Sequence, residues 1–271
     1  MSAKRILRAV SGCILCAVFA AGLLAGSVTH YSYDQQFREV PNAAPSALHP
    51  LGTDSLGRDL LTRLAYGTRV SLVLAPAAAL LATAIAGLFG GIAGLAGSWT
   101  EKSILAAADL SMALPLLFVL IALRAVMPLD VSPLFSVVAT FVTLGALGWP
   151  ASLRVVCAAA RDLRNSDFVL QARAAGCTPA RILLRHLMPN LRPVLFAQFW
   201  ISIPLFVLTE ATLSMLGLGV MEPLPSWGNL LKGLEDFSAV RGNPWMLSPL
   251  LLLVVVVVCF QLILPAEEAL T

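Results

Sequence analysis

Long apolar runs broken by short polar stretches set the pattern of this chain, and each run is of helix-crossing length or close to it. A bilayer core of about 30 Å needs about 20 residues of helix at a 1.5 Å rise. Six stretches meet or approach that length: about Ala9 to Val28, Val70 to Gly97, Ile104 to Met127, Pro133 to Cys157, Val194 to Leu216 and Met246 to Leu264. They predict an all-α integral membrane protein with about six transmembrane helices. Pro115 and Pro204 fall inside the third and fifth runs, where a missing N–H and a rigid ring kink a helix.

The polar stretches divide the chain further. Residues 1–30 read as an N-terminal membrane anchor helix, which the basic Lys4, Arg5 and Arg8 would also suit as a cleavable signal; retention is favoured. Residues 31–69 form an outer loop segment, and 70–271 a membrane domain of five helices. Residues 29–69 and 217–245 carry the Pro, Gly, Trp and Asp of ordered turning loops. The loop at about 158–193 differs. Asp167 to Gly176 and Pro179 to Met188 read as two short helices, with Thr178 placed as a cap and Pro179 in the first turn.

Composition agrees with a lipid-embedded chain. Of the 271 residues, 58% are hydrophobic and 12% charged, with a mean hydropathy of +0.85, far from a soluble domain. So much apolar surface exceeds what one globular core of this size can hide. The basic residues Lys102, Arg154, Arg161, Arg164, Arg173, Arg181, Arg185 and Arg192, with the three at the N-terminus, share one side of a six-span topology and place the 158–193 loop in the cytoplasm. The small net charge of +3 offers no stripe for a phosphate backbone, so nucleic acid is not an expected partner. The five cysteines read as small buried hydrophobes, and Cys13 precedes its apolar stretch, the wrong order for lipidation.

Chemistry-bearing patterns are few. The three histidines lack metal spacing, and neither a nucleophile elbow nor a phosphate-binding G-x-x-x-x-G-K-[ST] loop occurs, so no catalytic residue, metal or cofactor is assigned. Ionisable groups at membrane depth are costly unless paired or hydrated. Asp109 lies about a turn inside its helix and can reach the interface. Glu210 is deeper and could pair with Arg124, form a structural hydrogen bond, or line a translocation path. Gly87, Gly90, Gly91, Gly94 and Gly97 on the second helix point to close helix packing.

Phe168 to Gly176 (Phe-Val-Leu-Gln-Ala-Arg-Ala-Ala-Gly), followed by Arg185-His186-Leu187-Met188-Pro189-Asn190, resembles the cytoplasmic EAA-type coupling-helix loop of ABC importer permeases. Leu170 stands at that motif's acidic position, Gln171 replaces its first alanine and Met188 a leucine. His49 to Leu60, with Gly52, Asp54, Gly57, Arg58 and Asp59 and continuing to Arg63, is similar to the segment before the second helix of dipeptide and oligopeptide permeases. Glu210 to Val220 and Pro225-Ser226-Trp227-Gly228-Asn229 are similar to the end of the fifth helix and the outer loop of the same branch. The tail, Leu264 to Thr271, departs from a basic Gly-Asp-containing segment usual there.

The resemblance implies a permease subunit of a binding-protein-dependent ABC importer, multi-pass in the inner membrane of a prokaryote. It further implies a second homologous permease, two ATP-binding subunits that hydrolyse the ATP, and an extracytoplasmic solute-binding protein delivering di- or oligopeptides. Gln171, Ala172, Arg173, Gly176, Arg185, His186 and Pro189 would form the ATPase-coupling loop, with Ala172, Ala174, Ala175 and Gly176 leaving room for a partner's surface. Nickel complexes or another small solute are alternative cargoes. A transport-inactive scaffold and a secondary transporter are the alternative classes.

Overall fold

The computed structural model describes residues 3–126, 132–235 and 237–263. All regular elements among these are helices: α1 Ala3–Leu23, a single turn α2 Ala25–Val28, α3 Leu60–Ala96, α4 Ser98–Ala113, α5 Leu116–Val126, α6 Pro133–Leu147, α7 Trp149–Leu163 and α8 Asp167–Ala174. A short α9 Pro179–Arg181 continues through a π-helical turn Ile182–Leu187 into α10 Met188–Met215; α11 Trp227–Lys232, α12 Phe237–Gly242 and α13 Ser248–Ile263 follow. The expected ends at Met127 and Leu264, and the tail beyond, lie outside the described residues.

Among the described residues, five helical stretches are long and apolar enough to cross a membrane: Lys4–Leu23, Leu60–Ala96, Pro133–Leu163, Pro179–Met215 and Pro244–Ile263. The third expected span is divided instead of kinked. Pro115 cannot donate to the ladder and disfavours helical geometry at the residue before it. Leu114 is accordingly extended (ψ 116°), leaving α4 with 16 residues and α5 with 11, each short of the crossing length. An unbroken apolar run concealed that break.

The second span begins at Leu60, ten residues before Val70 and inside the expected loop segment. Its 37 residues measure about 55 Å, so part of α3 extends past a hydrocarbon core of about 30 Å. The fifth begins at Pro179, because the second short helix of the 158–193 loop never stops. Pro189 has no N–H to offer, and the backbone shifts register: Met188 donates to Leu183, five residues back. The π turn thereby carries the helix past its prolines.

The described residues fold as two compact units. The first comprises 3–75, 123–126, 132–141, 204–235 and 237–263; the second comprises 76–122 and 142–203. In the first, α1 packs along α13 and α11 rests against α13. In the second, Gly90 of α3 lies against Leu153 and Val156, and Gly94 against Ala160. A Cβ at Gly94 would stand 2.5 Å from that of Ala160, so the small-residue stripe is a packing surface. Val156, Ala160, Leu183, Leu187 and Leu191 form the buried core beside it.

Candidate functional site: a polar lock and an exposed shelf

The first unit ties its loops to two helix ends with buried polar side chains. Asp59 is the N-terminal cap of α3: its Oδ2 accepts from the Thr62 backbone N–H (2.8 Å) and hydroxyl (2.7 Å). Its Oδ1 sits 3.0 Å from His49 Nδ1, and Tyr31 and Phe37 pack on that imidazole. Asp54 organises the turn before the cap, its Oδ1 accepting from the backbone N–H groups of Leu56 and Arg58, both at 2.9 Å. Gly57 closes the turn at φ +72°, where a Cβ would strike the Phe37 carbonyl. The Gly52–Asp54–Gly57–Asp59 spacing is thus a helix-entry device.

Arg58, also of this motif, is only 11% exposed. It joins Arg63 in holding one carboxylate from the far end of the chain. Arg58 Nη1 donates to Glu222 Oε2 and Arg63 Nη2 to Glu222 Oε1, both at 2.8 Å. Arg58 Nε also donates to Asp54 Oδ2 at 2.8 Å. Glu222 carried no sequence signal, because nothing in local spacing links it to arginines 159 and 164 residues away.

Glu210 is fully buried near the end of α10. Its Oε1 accepts from the hydroxyls of Ser214 (2.6 Å) and Ser226 (2.8 Å), and Oε2 has no partner within hydrogen-bond distance among the described residues. Each serine relays the link onward. Ser214 Oγ accepts from Val220 N–H, and Ser226 Oγ caps α11 through Asn229 N–H, both at 3.2 Å. Trp227, wholly buried, donates from Nε1 to Thr68 Oγ1 at 3.0 Å. Glu210 therefore fastens the loop after α10 by hydrogen bonds to serines; the Arg124 side chain, its other candidate partner, lies outside the described residues.

The second unit carries a contrasting element. α8 ends in a paired left-handed cap: Gly176 N–H donates to Arg173 O and Cys177 N–H to Ala172 O, both at 3.0 Å. Gly176 has φ +76° with nothing within 4 Å of where a Cβ would stand. Thr178 caps the next helix as expected, accepting from Arg181 N–H at 3.4 Å. Ala174, Ala175 and Gly176 are exposed, together with Gln171, Arg173 and Arg185, while His186 and Pro189 are half-buried. Ala172 differs from the expectation of an outward small residue. It is 6% exposed and packs with Val169 and Ile182, holding α8 to its own unit.

Leu170 and Leu184 remain 47% and 62% exposed. The same shelf borders a cavity of about 940 Å³ lined by Leu95, Arg164, Arg173, Cys177, Ile182 and Leu183, among others. Asp109 pairs with Arg154, and Glu101 with Arg161, between α4 and α7.

This arrangement defines a polytopic α-helical membrane protein, locked by buried polar contacts in one unit and presenting an arginine-rich shelf in the other. The chain belongs to the family of binding-protein-dependent transport system inner membrane components, which matches residues 69–266. It is 32% identical over 253 residues to the oligopeptide transport system permease protein OppC of Escherichia coli, covering 92% of this chain and 80% of that protein. It is 31% identical over 235 residues to the dipeptide transport system permease protein DppC of Bacillus subtilis, covering 86% and 71%. A Brucella suis protein whose name carries the words peptide permease is 36% identical over 204 residues, 75% of this chain but 66% of that protein's length. Multi-pass insertion in a bacterial inner membrane follows from the family and the apolar helices.

Proposed function

We propose that this chain is one permease subunit of an ABC importer for di- or oligopeptides, pairing with a second homologous permease. Two ATP-binding subunits would hydrolyse ATP on its behalf, and an extracytoplasmic binding protein would deliver the peptide. The observation that carries this reading is the shelf at residues 158–193. Its alanines and left-handed glycine let a foreign surface approach the backbone, and Leu170 and Leu184 offer apolar contact that this chain leaves uncovered.

The same shelf supplies a lever. α8 is anchored through Val169, Ala172 and Ile182, and the helix from Pro179 runs unbroken into α10. A push on the shelf thus reaches a membrane helix without crossing a loop. In the first unit, the loops at 29–59 and 217–226 are tied by side-chain hydrogen bonds and would receive the binding protein.

The test is assembly and uptake in the complete system. The subunit co-purifies with ATP-binding subunits from mild detergent and supports tripeptide uptake, and Gly176→Trp removes both. Normal ATPase capture and uptake by Gly176→Trp would contradict the coupling role.

A further inference from the structure

Arg58 and Arg63 do more than brace a loop. Arg63 is 2% exposed, yet its Nε and Nη1 have no hydrogen-bond partner among the described residues, with Nε 3.6 Å from Asp54 Oδ2. A buried guanidinium with unspent donors calls for another acceptor. Arg63 lines a cavity of about 420 Å³, large enough for a small organic ligand. Arg58, Asp54, Glu222, Lys232 and Glu235 share its wall. Among the described residues neither Lys232 nor Glu235 is in an ion pair.

Glu222 fills this arrangement in an informative way. Each of its carboxylate oxygens is held by a different guanidinium, the geometry of a two-arginine carboxylate clamp. Within the clamp Arg63 is buried and Arg58 only 11% exposed, whereas their occupant is 49% exposed and sits on a loop. The arginines are therefore fixed, and the carboxylate is the replaceable part.

We propose that this cavity recognises the α-carboxylate of a transported peptide, and that Glu222 is an internal surrogate that keeps the clamp occupied until the peptide displaces it. Exchange of one carboxylate for another leaves the charge balance of the cavity unchanged and gives Arg63 further acceptors. The proposal rests on the peptide-importer reading and names the group of the cargo that this subunit contacts.

Equilibrium dialysis of trialanine and of trialanine amide against the assembled transporter, without binding protein, tests it. Removing the competing charge with Glu222→Gln should tighten trialanine binding by roughly tenfold, as expected when a blocked state is depopulated. Binding of the amide should not change. Arg63→Gln should abolish the preference for the free carboxylate, and Arg58→Gln, at a less buried position, should weaken it while thermal melting stays near wild type. Equal binding of both peptides across all variants would overturn the proposal. So would a Glu222→Gln effect confined to the affinity for peptide-free binding protein, which would assign the clamp to a protein carboxylate. Trialanine uptake by the wild-type system, measured alongside, separates the readings: its absence contradicts the peptide importer itself, whereas intact uptake with unchanged dialysis contradicts only the clamp.

Discussion

The loops around α3 and α11 and the shelf after α7 are both polar segments of similar length, yet they spend their polar groups in opposite ways. In the first, Asp54, Asp59, Glu210 and Glu222 each meet two or more donors inside the unit. In the second, Gln171, Arg173 and Arg185 face outward, and two leucines lie uncovered. Buried hydrogen bonds contribute to the shape of a surface; exposed donors and apolar side chains are available to a partner. The difference teaches that one region spends its polar groups on keeping its own form, while the other leaves them exposed for the partner proposed above.

That contrast can be broken most forcefully at Glu210. Glu210→Ala leaves two buried serine hydroxyls without their acceptor and removes the tie between α10 and the following loop. The expected cost is about 2–4 kcal/mol, read as a lowered melting temperature in detergent, with Glu210→Gln recovering part of it. A melting temperature equal to wild type would show that the loop does not depend on the carboxylate.

Gly57→Ala should follow, at about 1–3 kcal/mol, because the new methyl meets the Phe37 carbonyl in a left-handed turn. Gly176→Ala sharpens the comparison. It shares the left-handed strain, roughly 1 kcal/mol, but meets no neighbour, so its thermal effect should be the smaller of the two. Leu170→Asp and Leu184→Asp should barely move the melting temperature while lowering capture of the ATP-binding subunit at least severalfold; a large thermal loss would place these leucines in the fold itself. Least of all, Glu101→Gln should cost under about 1 kcal/mol, since Arg161 is half exposed and screened.

Much of this was legible in the sequence, for local reasons. Runs of twenty apolar residues, the Thr178-Pro179 helix start and the small-residue stripe of α3 are all decided within a turn or two of chain. From the sequence the break at Pro115 reads as a kink, because hydropathy averages over the single extended residue that divides α4 from α5. The early start of α3 was hidden by polar residues that serve as its cap. Ala172 looked like part of an open surface, since composition alone cannot say which alanine of a short helix faces inward. The Arg58–Arg63–Glu222 clamp and the Glu210–Ser226 link join distant positions, and no local pattern announces them.

The central claim is that residues 158–193 are gripped from the cytoplasm by an ATP-binding partner. Its most direct test places a single cysteine at Gln171, exposed on α8, in an otherwise cysteine-free protein and labels it with a membrane-impermeant maleimide. The account predicts labelling in inside-out vesicles, none in right-side-out vesicles, and protection when the ATP-binding subunit is co-expressed. Labelling from the outer face, or an inner-face reaction unchanged by the partner, would contradict it.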